Sequence, residues 1–512
     1  MAFLHEMPED ILRIIISYIH NPKDITALSI QFRRVHPLCD LPLRRKYRRI
    51  RIRNDHQSDK AFHILLSILR KPRLGLFVHR LEVDRQARWN YSFQMEEWQR
   101  SLSDTELTSL KDAISSAFEP QETHYVLNLI MQDPRTRNKT TIRRSGPEYN
   151  RPFMVGQALA AVLITVCPNL ERLVLVASQS HPPTRHQLIQ PPLDLLLRRV
   201  KSSKGQSNLL QSVRSIDFLS PNLNSRDRFP TSCSLVRSMR LVRRLPNLSS
   251  VSIAGMVKLD GPVYMYRGEW SRVRCIQLHD CDLNTQHLAS LLCCVERLRK
   301  FTYTPARVNI ETGSVFSPTE PPQMFNPATL LRCILRHKDF LEHLDLDLIY
   351  ESTPFGFGLP VPVDDRVMRE KYLEHPETRR PPAPLDIQSG SLLDCIALTR
   401  LKIDVVTLFY FADGLGSVSP RSMDDPPSLA SQLPPGLCSL RVRGYEAGRI
   451  SYYDRQLWSL PRQARMERPW LRDIKGIKTP IKHTQPLAIE PGFFRAPKAN
   501  EETSENWTDY EY

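Results

Sequence analysis

The densest group of side chains that could do chemistry lies between residues 275 and 294. It consists of cysteines and histidines, the usual protein ligands of zinc: Cys275, His279, Cys281, His287, Cys293 and Cys294. A structural zinc site usually presents paired C-x-x-C ligands, and this group contains no such pair. Cys293 and Cys294 also lie in a leucine-rich, helix-like run, where a free cysteine is commonly a small buried apolar residue. The spacing therefore favours buried thiols, and we expect no metal here.

Signals of catalysis are missing from the sequence. It contains no recognisable nucleophile motif, phosphate-binding loop or dinucleotide fingerprint. Gly356-Phe357-Gly358 lies among prolines, without the strand–turn–helix context that a phosphate loop requires. We therefore expect a protein that binds others, with no catalytic residue and no cofactor.

Two clusters of basic residues need an explanation, because the chain has a net charge of +16. One is the arginine-rich run Arg44–Arg53, and the other is Arg135–Lys139 with Arg143 and Arg144. Such runs bind phosphates or act as nuclear import signals, but more often they are a solvated helix face or a linker. No aromatic stacking platform or zinc-finger spacing accompanies them. A nuclear, nucleic-acid-associated protein that uses Arg44–Arg53 is thus kept only as an alternative.

Composition narrows the class of protein. The chain has 512 residues, 41% of them hydrophobic, and its 41 prolines predict many loops. No apolar run has the length of a transmembrane helix, and Glu6, Glu9 and Asp10 lie where a signal peptide would be cationic. We expect no membrane partner, a cytoplasmic or nuclear location, and ten reduced cysteines.

The elements that must position any binding site begin with an apolar helix near the N-terminus. Pro8 suits a first helical position, and from Ile11 to Ile19 only Arg13 and Ser17 are polar. A surface helix needs one apolar stripe, so this helix has a second face to cover. We expect its own domain to cover one face and a partner the other.

A second helix is predicted after the turn Asn21–Asp24, with Asp24 as its N-cap and Val35 near its end. Here the sequence resembles an F-box. The resemblance rests on the following segments: Met7-Pro8-Glu9-Asp10-Ile11-Leu12, Tyr18-Ile19, Asn21-Pro22-Lys23-Asp24, Leu28-Ser29, Arg33-Arg34 and Tyr47-Arg48-Arg49-Ile50-Arg51-Ile52. It implies three small helices that dock on a Skp-type adaptor and, through it, on a cullin-RING ubiquitin ligase. The adaptor-binding residues that it implies are Met7, Pro8, Ile11, Leu12, Ile15 and Leu28.

Beyond residue 155 the pattern L-x-x-L-x-L recurs. Its copies are Leu170/Leu173/Leu175, Val213/Ile216/Phe218, Leu248/Val251/Ile253, Val273/Ile276/Leu278, Leu298/Phe301/Tyr303, Leu341/Leu344/Leu346, Leu398/Leu401/Ile403 and Leu437/Leu440/Val442. The middle residues Val251, Ile276 and Phe301 are 25 residues apart, within the range of about 20–29 residues for leucine-rich repeats. Elsewhere proline-rich insertions lengthen the spacing. The pattern predicts short strands, each with a helix, that bury their apolar faces only by stacking.

These features together are similar to F-box proteins with irregular leucine-rich repeats that are common in fungi. The segment Pro327–Leu346 resembles their helix-plus-strand unit. In each strand, residues that alternate with the buried pair are expected to line a concave face that binds a target. The candidate target-binding residues are Arg172, Ser250, Ser252, Gln277, Lys300, His343, Asp345, Arg400, Lys402 and Arg441.

The sequence thus predicts an α/β chain with a small three-helix F-box followed by an irregular leucine-rich-repeat solenoid with proline-rich insertions. The expected segments are an F-box-like domain (1–53), linking helices and first repeats with a basic loop (54–154), the array (155–450), a C-terminal capping helix (451–475) and a disordered acidic tail (476–512). The expected function is substrate recognition for a Skp–cullin–F-box ubiquitin ligase, with an unknown protein substrate. A leucine-rich scaffold without ligase output is the other alternative.

Overall fold

The computed structural model describes most, but not all, of the chain. The described residues are 7–19, 22–32, 35–52, 55–83, 100–132, 151–176, 191–202, 209–219, 239, 241–243, 245–255, 272–281, 283, 285–305, 327–348, 387, 389–415 and 427–481. The basic loop, most of the proline-rich insertions and the tail from residue 482 lie outside them. So do most of residues 235–245.

The described residues are a mixture of α-helices and parallel β-strands, so the predicted α/β class is confirmed. The chain divides into two compact units. The first comprises residues 1–176, 181–217 and 239–248, and the second comprises residues 177–180, 218–238 and 249–512. No helix in the described part of the chain is long and apolar enough to cross a membrane.

The first unit begins with three short helices, α1 (Glu9–Tyr18), α2 (Pro22–Gln31) and α3 (Leu41–Tyr47), with a 3₁₀ helix (His36–Cys39) before α3. They enclose a small apolar core of Leu12, Ile16, Ile25, Val35, Leu38 and Cys39. Pro8 was predicted inside the first helix, but it is the residue before it, with an extended ψ of 146°. Asp24 was predicted as an N-cap, but α2 already begins at Pro22, so Asp24 lies in the first turn.

The first unit continues with parallel strands in the order β1-β2-β3-β4, the last of which spans the division between the units. Their bounds are β1 (Arg49–Ile52), β2 (Arg80–Val83), β3 (Arg172–Val176) and β4 (Ser215–Leu219). Further helices described in this unit are α4 (Asp55–Arg70), α5 (Asp104–Ser115), α6 (Pro120–Ile130), α7 (Arg151–Val166) and α8 (Pro192–Ser202), with a 3₁₀ helix at Pro72–Phe77. Helix α7 is buried from Met154 to Ile164, as expected of a helix that is apolar all round.

In the part of the second unit that the structure describes, seven parallel strands follow one another in sequence order. They are β5 (Ser250–Ala254), β6 (Cys275–Cys281), β7 (Lys300–Pro305), β8 (His343–Leu346), β9 (Arg400–Asp404), β10 (Ser439–Arg443) and β11 (Asp473–Lys475). The helices are α9 (Thr285–Cys293), α10 (Pro327–Leu335), α11 (Val405–Asp413), α12 (Leu429–Gln432) and α13 (Ser451–Glu467).

The middle residue of each L-x-x-L-x-L copy lies in a strand, as predicted. In the second unit, Val251, Ile276, Phe301, Leu344, Leu401 and Leu440 occupy one register row and are each at most 1% exposed. A strand with one buried face requires apolar and outward residues to alternate in a fixed register. A slip of one residue would turn its apolar side chains to solvent.

The same backbone turn leads into successive strands. At the start of β7, the N–H groups of Arg299 and Lys300 both donate to the carbonyl of Arg274, and at β8 those of Glu342 and His343 both donate to the carbonyl of Arg299. Equivalent pairs precede β2, β3, β4, β6, β9, β10 and β11. The chain therefore repeats the same backbone turn before these strands.

Asn169 and Asn247 each lie between a proline and a leucine, and the side chain of each binds a backbone carbonyl. The side-chain amide of Asn169 donates to the carbonyl of Leu76 at 3.0 Å, and that of Asn247 donates to the carbonyl of Gln211 at 2.6 Å. Each asparagine thus donates a hydrogen bond to a backbone carbonyl in the preceding turn. The regular hydrogen bonds between strands would leave that carbonyl without a partner.

Two expected boundaries were wrong. Residues 49–52 were assigned to the helical domain, but they form β1 and pair with β2. Residues 451–475 were expected to be only a capping helix, but α13 ends at Glu467 and the chain then adds β11 beside β10. Both strands are only three or four residues long, too short for alternation to separate them from a helical or loop pattern.

Candidate functional site

Helix α1 carries two apolar stripes, and only one of them is covered by its own unit. Leu12 and Ile16 are 1% and 2% exposed and belong to the core, whereas Ile11, Ile14 and Tyr18 are 44%, 52% and 75% exposed. Residues at positions i, i+3 and i+7 lie on the same side of a helix. Ile11, Ile14 and Tyr18 therefore form a continuous exposed apolar strip, which we call the α1 surface.

The residues predicted to bind the adaptor fall into different environments. Pro8 and Ile11 are exposed, and Ile15 is half-buried. Met7 and Leu28 are half-buried and pack against the small core, and Leu12 is part of that core. Their role toward an adaptor stays a prediction.

The sequence-based list omitted four exposed apolar residues of α1 to α3: Ile14, Tyr18, Ile30 and Leu43. The helical spacing of Ile11, Ile14 and Tyr18 was visible in the sequence. Which stripe is buried was not, because both stripes of α1 contain isoleucine or leucine.

A cavity of about 260 Å³ lies beside the α1 surface, inside the first unit. Ile14, Leu76 and Phe77 contribute apolar lining, and Arg13, Arg44 and Arg73 contribute basic lining. Arg44 donates to the carbonyls of Cys39 and Ile16 and stacks on Phe77 with its guanidinium 4.7 Å from the ring centre. Burial lowers the pKa of Arg44. Arg44 thus holds the helices and the cavity wall together.

Several cations of the run Arg44–Arg53 contact the protein itself. Glu82 is 2% exposed and lies 2.6 Å from Nη2 of Arg49, 3.1 Å from Nε of Arg51 and 2.5 Å from Nε of Arg80. Burial lowers the pKa of Arg80 to about 10, although the Glu82 charge raises it. These arginines neutralise a buried carboxylate, which weakens the case for a nucleic-acid site made of the whole run. Arg45, Lys46 and Arg48 remain exposed.

No model of a known protein family matches this chain, and no curated protein matches it significantly.

The second candidate surface is a face of the strands in the second unit. Two register rows alternate with the buried row. The first is Ser250, Cys275, Lys300, His343, Arg400, Ser439 and Asp473, and the second is Ser252, Gln277, Thr302, Asp345, Lys402, Arg441 and Lys475. The structure thus brings nine of the ten predicted target-binding residues into two adjacent rows.

The tenth, Arg172, lies in the first unit, where its Nε donates to Asp217 Oδ2 at 2.6 Å. Accessibility along the two rows is uneven, because Ser252 and Thr302 are 7% and 6% exposed. The other residues of the two rows, from Ser250 on β5 to Lys475 on β11, are partly or fully exposed.

Charge on this face is predominantly positive. Asp345 accepts from Arg443 at 2.7 Å and lies 3.6 Å from Lys402 Nζ. Within the described part of the chain, Lys300, Arg400 and Arg441 form no ion pair. Because an unpaired surface cation keeps its full attraction for anions, the rows favour an acidic ligand.

His343 lies among these cations. Its pKa is lowered, first by burial and then by Arg400, with smaller contributions of the same sign from Lys300 and Lys402, while Glu342 opposes them. His343 is therefore neutral at pH 7, and the positive charge of the face comes from its lysines and arginines.

The cysteine and histidine group is divided between buried and partly exposed positions. Cys281, Cys293 and Cys294 are buried, and burial raises the pKa of Cys294 to about 12. The Cys281 thiol donates to the carbonyl of His279 at 3.2 Å. Among the described residues, no three histidine, cysteine, aspartate or glutamate side chains are grouped to hold a metal. The side chain of His287 lies outside the described atoms.

Proposed function

We propose that this protein is a substrate-recognition subunit of a Skp–cullin–F-box ubiquitin ligase. In this proposal the N-terminal helices bind a Skp-type adaptor, and the strand face of the second unit binds a target protein. The observation that carries it is the α1 surface: an apolar strip on a helix whose opposite stripe already packs in its own core.

The energetics of the α1 surface support a protein partner. Ile11, Ile14 and Tyr18 expose large apolar side chains in one strip, and burying such a side chain completely is worth about 1.5–3 kcal/mol. Large apolar residues near the centre of an interface supply most of its affinity. Arg13 at the edge of the strip is paired with Glu9 at 2.9 Å and gives the strip a polar rim.

The repeated strand units support the second half of the proposal. Each of these strands presents two outward polar positions in register with those of the neighbouring strands. Repeated strands of this kind provide extended binding surfaces. The chain would contribute proximity and orientation of the target, while the chemical step belongs to other subunits of the ligase.

Adaptor capture tests the proposal directly. The purified full chain, an Ile11→Asp/Ile14→Asp variant and an Ile396→Asp control are each mixed with a tagged Skp-type adaptor. Ile396 is 58% exposed in the second unit, so the control makes the same chemical change away from α1. We expect the wild type and the control to be captured and the double variant to bind at least about a hundredfold more weakly, because charges would replace two apolar contacts.

Because both substituted isoleucines are half exposed, the double variant is expected to keep its circular dichroism spectrum and its protease resistance. Failure of the folded wild type to bind the adaptor, or undiminished binding by the double variant, would contradict the proposal. Adaptor binding without ubiquitin transfer to any captured protein would instead favour the scaffold alternative. Binding of the chain to nucleic acid that weakens steeply with added salt would favour the nucleic-acid alternative.

A further inference from the structure

Like charges lie in direct register on the last three strands. Lys402 on β9 is opposite Arg441 on β10, and Arg441 is opposite Lys475 on β11. Like charges directly opposite one another destabilise a sheet. Lys300 and Arg400, one row away, add two further cations. We call Lys300, Arg400, Lys402, Arg441 and Lys475 the cationic rows.

Carboxylates on the same face neutralise only part of this charge. Asp345 is shared between Arg443 and Lys402, and Asp473 lies 3.4 Å from Lys475 and accepts from Ser439. No ion-pair partner is found for Lys300, Arg400 or Arg441 among the residues that the structure describes. A multiply acidic ligand would remove the remaining repulsion.

The last residues that the structure describes, up to Ile481, lie beside the cationic rows. After β11, Gly476 has a φ of +93°, and a Cβ at this position would lie 1.9 Å from the carbonyl oxygen of Val442. Only glycine permits this close passage over β10. Ile481 then pairs with Arg443, and its carbonyl accepts from the N–H of Gly444 at 3.1 Å. The rest of the chain therefore starts at the end of β10, next to Arg441.

The segment Glu501–Tyr512 has the opposite charge. It contains five acidic residues and no lysine or arginine: Glu501, Glu502, Glu505, Asp509 and Glu511. Glu505, Asp509 and Glu511 are separated by even numbers of residues, so in an extended conformation they would project to the same side. Trp507, Tyr510 and Tyr512 add apolar surface.

The connecting chain is long enough for this segment to reach the rows. Glu501 follows Ile481 by 20 residues, which can span up to about 66 Å at about 3.3 Å per residue. Strands β7 and β10 are three strand spacings apart, or about 15 Å. A tethered segment within reach acts at an effective concentration of about millimolar, so even a weak site would be occupied.

We propose that the acidic segment Glu501–Tyr512 binds the cationic rows of the same chain and competes there with acidic partners. The inference goes beyond the proposed ligase function and does not depend on it, because it involves only the second unit and the chain that follows it. If ligase targets bind to this face, the acidic segment would have to leave the cationic rows before an acidic target could bind there.

A labelled synthetic peptide of residues 501–512 tests the proposal on the full-length protein. In the tail-neutral variant, Glu501, Glu502, Glu505 and Glu511 are changed to Gln and Asp509 to Asn. We expect this variant to bind the peptide at least about tenfold more tightly than the wild type, whose own segment occupies the rows. Added salt should weaken the binding.

Charge reversal locates the site. In the tail-neutral background, Lys402→Glu/Arg441→Glu is expected to abolish peptide binding. Arg462→Glu/Arg465→Glu, which reverses two exposed charges on α13, should leave it unchanged. Unaltered circular dichroism and melting temperature would show that both variants fold.

A photo-reactive residue in place of Trp507 reports contact within the chain. Cross-links to β7–β11 of the same molecule, with a yield independent of protein concentration, are expected. Equal peptide affinity of wild-type and tail-neutral proteins, binding unaffected by Lys402→Glu/Arg441→Glu, or cross-links only between copies would overturn the proposal. Adaptor capture, measured on the same proteins, should not change, so failure here is distinguishable from failure of the ligase proposal.

Discussion

Arg443 on β10 donates a hydrogen bond of 2.7 Å to Asp345 on β8, so the contact passes over the intervening strand β9. The Arg443 side chain is 13% exposed, and its next carboxylate, that of Asp347, is 3.9 Å away. Asp345 was a candidate target-binding residue. In the structure it is already engaged by Arg443 and Lys402, and it joins three strands through side-chain charges.

Substitution Asp345→Asn should therefore affect stability. We expect it to lower the free energy of unfolding of the second unit by about 1–3 kcal/mol, because Arg443 would lose its closest carboxylate while remaining largely buried. Hydrogen exchange of the β8–β10 amides measures this loss locally. Asp339→Asn, an exposed change in the same unit, should stay within about 0.5 kcal/mol. Equal effects of the two substitutions would show that the Asp345–Arg443 contact contributes little.

Glu82→Gln should destabilise the first unit. The substitution removes the carboxylate that lies between Arg49, Arg51 and Arg80, whose side chains are 22–32% exposed. We expect a loss of about 3 kcal/mol, because breaking a buried ion pair from one side leaves uncompensated charges. Thermal unfolding followed by tryptophan fluorescence measures the loss.

Sulfate provides a specific test of that explanation. A divalent anion can replace part of the missing charge between the three arginines, so it should stabilise Glu82→Gln more than the wild type. Chloride at the same ionic strength is the control. An identical response of both proteins to sulfate would argue against uncompensated arginines as the cause.

The two stripes of α1 should respond differently to truncation. Leu12→Ala, in the core, is expected to cost about 2–5 kcal/mol, whereas Ile11→Ala, on the α1 surface, should cost less than about 1 kcal/mol. Hydrogen exchange of the amides in α1 to α3 separates this local effect from the rest of the chain. Comparable losses at the two positions would mean that Ile11 also packs inside the unit.

His337 should make the second unit sensitive to mild acid. It is buried, its Nε2 donates to the carbonyl of Leu292 at 3.1 Å, and burial lowers its pKa to about 4. The unfolded chain takes up the proton near pH 6.5, so stability is lost as pH falls from about 6.5 to about 4 and is unaffected above that window. The loss amounts to about 3 kcal/mol at most.

His337→Gln is the matched variant, because its amide can still donate to Leu292 but does not titrate. Its urea unfolding should depend less steeply on pH between 4 and 6.5 than that of the wild type. Other titratable groups are present in both proteins, so their contributions to the pH dependence of stability cancel in the comparison. Parallel pH profiles would exclude His337 as the source of acid sensitivity.

Periodicity made much of this fold predictable. The L-x-x-L-x-L copies placed their middle residues in strands, because a strand with one buried face needs an apolar residue at every second position. The pattern also predicted a helix with each strand, and α7 (Arg151–Val166) precedes β3. Strands β1 and β11 were missed because each is too short to show a period and because Arg49, Arg51, Asp473 and Lys475 read as solvated polar residues.

The candidate surfaces were only partly predictable. The sequence indicated that α1 had more apolar surface than its own domain required, but only packing decided that Leu12 and Ile16 face the core while Ile11, Ile14 and Tyr18 face outward. Both stripes have the same chemistry, so the order of residues along the helix does not distinguish them.

Three local features follow from the order of residues alone: the type of element, the alternation of buried and outward residues, and the residues that each strand turns outward. These follow from the chain's own geometry, since side chains repeat every 3.6 residues in a helix and every two in a strand. The tertiary structure alone decided which outward residues meet. Asp345 and Arg443 are 98 positions apart in the sequence, and Lys402 is opposite Arg441 only because β9 and β10 pair in one register. Charges act through space over a few ångströms, so the electrostatic character of this face depends on strand register, which no single segment encodes.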